Sequence, residues 1–339
     1  MDEHTLKTIK LSEGMKTFTP PKVELWTGRP SGQEAYLHEK VKCIDLYADQ
    51  SEGKGHGFAI LGYACDEGVR RNQGRPGAAQ GPDAIRVQLA KLPNHLDQKT
   101  HLWDTGTIGC TEGDMEMAQA QLATRVTSLL QRGVFPVLIG GGHDMAYGHF
   151  QGIKRCLAKN KTIGIINFDA HFDLRANDNG NTSGTPFYQV ARELMADHQS
   201  FKYLCLGIRE DANDKILFKR AAELGVEYMR SDQFTMYRLE QVKKEIRLFT
   251  EKVDHLYVTI DLDGFSSAYA PGVSAASPMG FSPDIVQESL NVMIESKKLI
   301  SVDVAEMSPA YDKDGQTAKL AASMLHYIIH KVAYSSQDL

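Results

Sequence analysis

Four short stretches of this 339-residue chain concentrate side chains able to bind cations or move protons. They read "GGGHD" (140–144), "NFDAHFD" (167–173), "TIDLDGF" (259–265) and "DVAEMSP" (303–309). Between them they hold His143, Asp169, His171, Asp173, Asp261, Asp263 and Glu306. Each stretch follows or closes an apolar run of the kind that forms a buried strand. Carboxylates delivered into an interior without partners cost several kcal/mol, and four aspartates meeting at one place repel one another. Divalent cations remove both costs. Carboxylates with imidazole suit Mn²⁺ best, with Zn²⁺ and Fe²⁺ as alternatives. Two such ions ~3.5–4 Å apart share a hydroxide that is nucleophilic at neutral pH. Two dications cancel four aspartates and the hydroxide leaves about one negative charge, which favours a cationic substrate. Singly, each stretch is bland, because an Asp-x-Asp after a strand is usually a turn and a lone histidine is usually scaffolding. His149, His255, His326 and His330 are read that way. The joint pattern implies a dinuclear site.

Positioning these groups requires strands that end together. Short β-rich runs occur at 58–64, 135–141, 163–170, 203–208, 226–231, 255–263 and 299–307. Between them lie segments with helical character, among them "MEMAQAQLATRVTSLLQRG" and "SPDIVQESLNVMIESKK". Strands alternating with helices predict βαβ units and a mainly parallel sheet covered on both faces. The fold class expected is therefore α/β, a single-domain three-layer α/β/α architecture. Parallel strands bring their carboxyl ends to one edge, where open sheets place ligands. Residues 1–55 lack periodicity and read as a loop-rich N-terminal segment, leaving 56–339 as the α/β domain. No linker-like stretch or internal repeat divides the chain.

The four stretches occur in the order and approximate spacing of the arginase/agmatinase (ureohydrolase) superfamily, which the chain resembles over about residues 57–335. Within it, "YACDEGVRRNQGRPGAAQGPDAIR" (63–86), "SGTPF" (183–187) and the late "TAKLAASMLHYII" resemble the formimidoylglutamase family. The resemblance implies an arginase-like fold and two Mn²⁺ ions per subunit. One would be held by His143, Asp169, Asp173 and Asp261, the other by His171, Asp169, Asp261 and Asp263. It implies hydrolysis of N-formimidoyl-L-glutamate to L-glutamate and formamide, as in histidine degradation, with the shared hydroxide attacking the amidine carbon. Asp173 would also relay a proton to the departing nitrogen, and Glu306 would grip the amidinium, whose paired N–H groups suit a carboxylate. Where arginases and agmatinases usually carry a histidine before Gly-x-Pro, this chain has Ser183, as formimidoylglutamases do. That departure counts against the runner-up, a guanidine hydrolase of agmatinase or guanidinobutyrase type that releases urea. Homo-oligomeric assembly is common among such relatives and is expected here.

The loop after the first long strand carries Arg70, Arg71, Arg75 and Arg86. Bidentate arginine suits carboxylates, so one or two of Arg70, Arg71 and Arg75 are candidates to read the substrate's two carboxylates. The alternative is salt bridges that hold loops. Arg209, Glu210 and Asn213 follow another strand and are candidates for the same mouth, with Ser183. "GRPGAAQGP" lacks both the P-loop and the dinucleotide glycine patterns. A metallophosphoesterase would place its Asp-x-His before the Gly-His-Asp, the reverse of the order here, and a degenerate non-enzyme would lack ligands.

Composition agrees with a small-molecule enzyme. Apolar and charged fractions of 42% and 24% are ordinary for a globular chain. A net charge of −5 supplies no basic footprint for nucleic acid. No stretch reaches the ~18 apolar residues of a membrane span, and "MDEHTLKTIKLSEGMKTF" has no signal-like apolar core. Five dispersed cysteines, with no CxxC pair, read as reduced thiols. A cytoplasmic location is the expectation.

Overall fold

The structure, a computed structural model, describes residues 17–45 and 55–337. Residues 1–16 and 46–54, part of the segment expected from sequence to be loop-rich, lie outside the described residues. Ten strands form one sheet: β1 (Phe18–Thr19), β2 (Lys42–Cys43), β3 (Gly57–Ala64), β4 (His101–Gly109), β5 (Phe135–Gly140), β6 (Ile163–Phe168), β7 (Lys202–Ile208), β8 (Glu227–Arg230), β9 (His255–Asp261) and β10 (Leu299–Ala305). Their order is β1-β4-β3-β5-β10-β9-β6-β7-β8, with β2 also on β4. Among the described strands only the β1–β4 pair is antiparallel. The α/β class, the three layers and the mainly parallel sheet expected from sequence are all present.

Alternation along each strand divides the core in two. Phe58, Ile60, Val137, Ile139, Val258 and Ile260 point to one face, packed by the helices Gly81–Leu89, Leu239–Glu251, Pro283–Glu295 and Gln316–Gln337. Ala59, Leu61, Leu138, Ile165, Tyr203 and Tyr257 point to the other, under Met115–Gln131, Met145–Cys156, Pro186–Ala196 and Lys215–Glu223. Met115–Gln131 shows how the sequence writes such a helix. Asp114 accepts a hydrogen bond from the Met117 amide at 2.9 Å and caps the start. Met115, Ala118, Leu122, Val126 and Leu129 recur at helical spacing and are buried. Gly133, at φ +74°, closes the end in the left-handed conformation that glycine adopts most readily.

The chain visits the sheet outward on one side (β3, β4), returns to β5, crosses to β6, runs outward to β8, and comes back to insert β9 and β10 at the centre. The four central strands β5, β10, β9 and β6 thus lie side by side and parallel. These are the strands whose ends carry the four motifs.

Strand β4 is absent from the seven runs read from sequence, because "HLWDTGTIG" carries Asp104 and Gly106 where an apolar pattern would continue. Asp104 is fully buried and accepts Nε and Nη2 of Arg86 at 2.8 and 2.9 Å and Nε1 of Trp26 at 2.7 Å. Arg86 also donates to the Gly106 carbonyl and to Thr107. It is therefore an interior strut and not part of an exposed arginine loop. Trp26, β1 and β2 show the described part of the N-terminal segment lying against the sheet edge at β4.

Candidate metal centre

Local backbone chemistry explains why the motifs are spaced as they are. Asp169 Oδ1 accepts the amide of His171 at 2.7 Å, and Asp261 Oδ1 accepts the amide of Asp263 at 2.8 Å. Each aspartate thereby turns the chain just past its strand, and the side chain two residues on folds back beside it. The two turns are neighbours because β6 and β9 pair in parallel up to Phe168 and Ile260. His171 Nδ1 ends 3.3 Å from both Asp169 Oδ1 and Asp263 Oδ1. The 169–173 loop is held from behind. Asn213 accepts the Phe172 amide and donates to the Ala170 and Arg209 carbonyls, while the Tyr203 hydroxyl donates to the Phe172 carbonyl. Asp173 then takes φ +50°, and Glu306, at the end of β10, takes φ +67°. Non-glycine residues in this region cost of order 1–3 kcal/mol and are typical of functional sites.

His143 arrives from β5. Gly141 makes its approach feasible, since a Cβ there would lie 2.0 Å from the Cys65 carbonyl oxygen. The buried ring places Nδ1 at 2.9 Å from Asp173, 3.0 Å from Asp261 and 3.3 Å from Asp169. Its other nitrogen, Nε2, lies 2.9 Å from Thr259 Oγ1. The Thr259 hydroxyl donates to Asp303, so it must accept from His143, and the ring proton sits on Nε2. In the neutral ring Nδ1 therefore presents a lone pair, and it faces three carboxylates. Asp263 Oδ1 is buried without a hydrogen bond. A lone pair ringed by carboxylates is repulsive unless a proton or a cation lies between them, and four such donors around one point fit a metal ion. His143, Asp169, Asp173 and Asp261 form one group whose ligand atoms lie within 4.8 Å of one another, and Asp169, His171 and Asp263 form a second. Asp169 belongs to both.

Proton affinities reflect the crowding. Burial opposes charging of His143, but Asp261, Asp169 and Asp173 outweigh it and raise the imidazole well above its ordinary value. His171 is raised in the same way by Asp263 and Asp169 against its burial. Burial and then Asp169 push Asp173 up to about 6. Burial, followed by the charges of Asp261 and Asp263, raises Glu306 well above the carboxylate range.

Behind His143 stands a buried relay that the sequence reading missed. Asp303 accepts hydrogen bonds from Thr259, Tyr257 and His149 Nδ1, the last at 2.6 Å, and His149 Nε2 lies 2.6 Å from Ser301. His149, expected as scaffolding, is that. Asp303 and Thr259 were legible in principle, since a charged or hydroxyl side chain inside a strand buried on both faces must have a partner.

The cluster opens into a cavity of about 230 Å³ walled by His143, His171, Asp173, Asp261, Asp263 and Glu306. Ser183 and Asn213 are also on its wall, though Asn213 is fully engaged in holding the 169–173 loop. Glu306 Oε1 accepts the His143 amide at 2.8 Å, which leaves its other oxygen for a ligand. The three arginines expected at the mouth are elsewhere. Arg70 and Arg71 pair with Glu67, Arg71 also with Glu116, and Arg75 donates to the Val273 and Ser274 carbonyls and stacks over Tyr311. Arg209 is bound to Asp211, and Glu210 to Arg230. These side chains hold loops together and none is on the cavity wall. A larger groove of about 580 Å³ lies at the opposite edge of the sheet, near the start of β6, far from the cluster.

Comparison with known proteins bears on this arrangement directly. The Arginase family model matches residues 56–330. The chain belongs to the arginase family. It is 41% identical over 319 residues to a formimidoylglutamase of Geobacillus thermodenitrificans, covering 91% of this chain and 98% of the relative. Among solved structures, formimidoylglutamase from Bacillus subtilis superposes with a TM-score of 0.79 at 22% identity, over 91% of this chain and 94% of that one. Trypanosoma cruzi formiminoglutamase with Mn²⁺ gives 0.73 at 23% identity, over 86% and 97%. The family resemblance read from the four motifs is thus borne out. Arginase-family membership makes the chain a hydrolase of C–N bonds in linear amidines. Among the described residues no helix is long and apolar enough to cross a membrane.

Proposed function

We propose that this chain hydrolyses N-formimidoyl-L-glutamate to L-glutamate and formamide, using two divalent cations, preferably Mn²⁺. The observation that carries the reading is His143, a buried imidazole whose Nε2 is held by Thr259 and whose Nδ1 faces three carboxylates. His143, Asp169, Asp173 and Asp261 would hold one ion, and His171, Asp169, Asp261 and Asp263 the other. When bound, such a pair supplies a water-derived nucleophile at neutral pH. The near-full-length likeness to formimidoylglutamases supports the substrate, as does Ser183 in place of a histidine.

The chain's own residues then do three things. Glu306, enclosed and with one oxygen free, accepts the amidinium N–H groups and fixes the amidine carbon against the cluster. Water adds its oxygen to that carbon, and the bond to the glutamate nitrogen breaks. Asp173, on the cavity wall beside the cluster, is placed to pass a proton to the departing amine. Enclosure by Phe187, edge-on to His143, and by the 169–173 loop limits competing access of solvent. Homo-oligomeric assembly, a role in histidine degradation and a cytoplasmic location belong to the same reading.

The test is a side-by-side assay of Mn²⁺-loaded protein with formimidoylglutamate, agmatine, 4-guanidinobutyrate and arginine. Formamide and glutamate from the first substrate are expected. Urea from a guanidine, with formimidoylglutamate untouched, would overturn the assignment.

A further inference from the structure

We propose that the protein carries a second ligand site, for a small dicarboxylate, between the helices Met115–Gln131, Met145–Cys156 and Pro186–Ala196. A cavity of about 420 Å³ lies there, and it shares no wall residue with the metal cavity. The inference does not depend on which amidine the metal centre hydrolyses.

Small residues make the space. Gly148 lets two helices approach closely, since a Cβ there would lie 2.7 Å from the Gln119 carbonyl oxygen. With Ala120 and Ala123, it gives the wall nothing larger than a methyl group over that stretch. The charges around the space are unbalanced. Arg155 and Arg192 stand on the wall from two different helices and are exposed. Among the described residues neither guanidinium is in an ion pair. The nearby acids are engaged elsewhere. Glu116, the one acidic residue on the wall, accepts Arg71 Nη1 at 2.7 Å. Glu193, next in the chain to Arg192, accepts Lys154 Nζ at 2.7 Å, and its other oxygen takes the Gln151 amide and the Tyr147 hydroxyl. Two cations therefore share one cavity without a counter-charge.

The wall also selects the chemistry. Carboxamides of Gln119, Gln189, Asn177 and Asn181 supply further hydrogen-bonding groups. A guanidinium binds a carboxylate through two parallel hydrogen bonds. Two of them on separate helices suit the two ends of a dicarboxylate, and the volume is in the range of small-molecule sites.

The same side chains touch the metal centre from behind. Gln119 Nε2 donates at 2.8 Å to the carbonyl of Asp144, the residue after His143. Gln189 Nε2 donates at 2.9 Å to the Thr185 hydroxyl, which in turn donates to the Thr182 carbonyl. Asn181 on this wall and Ser183 on the metal-cavity wall are two residues apart. A ligand held here acts on the segment that carries Ser183, so its occupancy alters turnover.

The experiment titrates succinate into Mn²⁺-loaded protein by calorimetry, with inorganic phosphate as a second probe. Wild type is expected to bind succinate saturably. Arg155→Met combined with Arg192→Met should weaken that binding about 10- to 100-fold, with kcat and KM in the absence of succinate unchanged. Lysine at both positions should recover part of the loss. Lys159→Met, which removes a cation from the neighbouring groove, should leave binding unchanged. In assays succinate should alter kcat of wild type but not of the double methionine variant, whereas a ligand confined to the metal cavity raises KM alone. Equal succinate binding by wild type and the double methionine variant, or an equal loss in Lys159→Met, overturns the site. Phosphate binding more tightly than succinate at these arginines overturns the dicarboxylate class, and a kcat indifferent to saturating succinate overturns the coupling.

Discussion

Replacing Thr259 by valine tests the tautomer argument on which the metal centre rests. Valine keeps the shape of threonine and removes one hydroxyl. That hydroxyl accepts from His143 Nε2 at 2.9 Å and donates to Asp303. Without it, the Nε2–H of a fully buried ring has no acceptor, a loss of about 1–3 kcal/mol. The neutral ring escapes this cost by moving its proton to Nδ1, where Asp173, Asp261 and Asp169 stand within 3.3 Å to receive it. The proton then occupies the ligand position, and a metal ion must displace it. Loss of such outer partners typically costs 10–100-fold in metal affinity, or about 1.4–2.7 kcal/mol. The assay is a chelator-buffered Mn²⁺ titration with metal content measured per subunit. Thr259→Val should bind the His143-side ion 10–100-fold more weakly, the second ion less affected, while kcat at saturating metal stays within a few-fold. Thr259→Ser, which restores the hydroxyl, should return affinity to within about threefold of wild type. Thr259→Val with unchanged affinity and native circular dichroism would refute the assignment of the Nε2 proton, and with it the reasoning that Nδ1 is the ligand atom.

Three further outcomes are expected. Asp261→Asn should abolish binding of at least one ion by metal analysis and reduce turnover by several orders of magnitude, whereas full metal content at wild-type rate would remove Asp261 from the ligand set. Metal affinity should fall as pH drops from 8 to 6, because the raised carboxyl of Asp173 and the raised imidazoles of His143 and His171 hold protons that cations must displace; a flat profile in chelator-buffered titrations would contradict the crowded-carboxylate picture. Asp104→Ala strands the Arg86 guanidinium, buried with its only interior carboxylate removed, and should destabilise the fold by about 3–5 kcal/mol in denaturant unfolding, with Asp104→Asn intermediate and an unchanged midpoint excluding a structural role for the pair.

What could be read from sequence, and what could not, divides along a physical line. The central strands announce themselves because each is buried on both faces and so runs as an unbroken apolar segment. The ligands announce themselves because chelation requires particular atoms at the ends of those segments. Strand β4 escaped because Asp104 and Gly106 interrupt its pattern, and the partner that makes Asp104 tolerable, Arg86, lies 18 residues earlier. Thr259 and Asp303 escaped for a related reason. They sit inside the strands that carry the ligands, and only the parallel pairing of β9 with β10, which sets Thr259 beside Asp303, turns two unremarked polar residues into one relay.

The arginines show where sequence reasoning reaches its end. Arg70, Arg71 and Arg75 drew attention as a cluster, but a guanidinium's function depends on whether a carboxylate or carbonyl has already claimed it. Arg70 and Arg71 face Glu67 within a single turn of helix, a contact of the i,i+3 and i,i+4 kind, and Arg75 is bound by carbonyls nearly two hundred residues away. Arg175, isolated in "DLRAND", lies on the wall of the metal cavity, where a side chain on Gly184 would crowd its stem. Availability, not density, decides which guanidinium is left to face a ligand. That availability depends on a backbone contact between residues 175 and 184, which the spacing of charges along the chain does not encode.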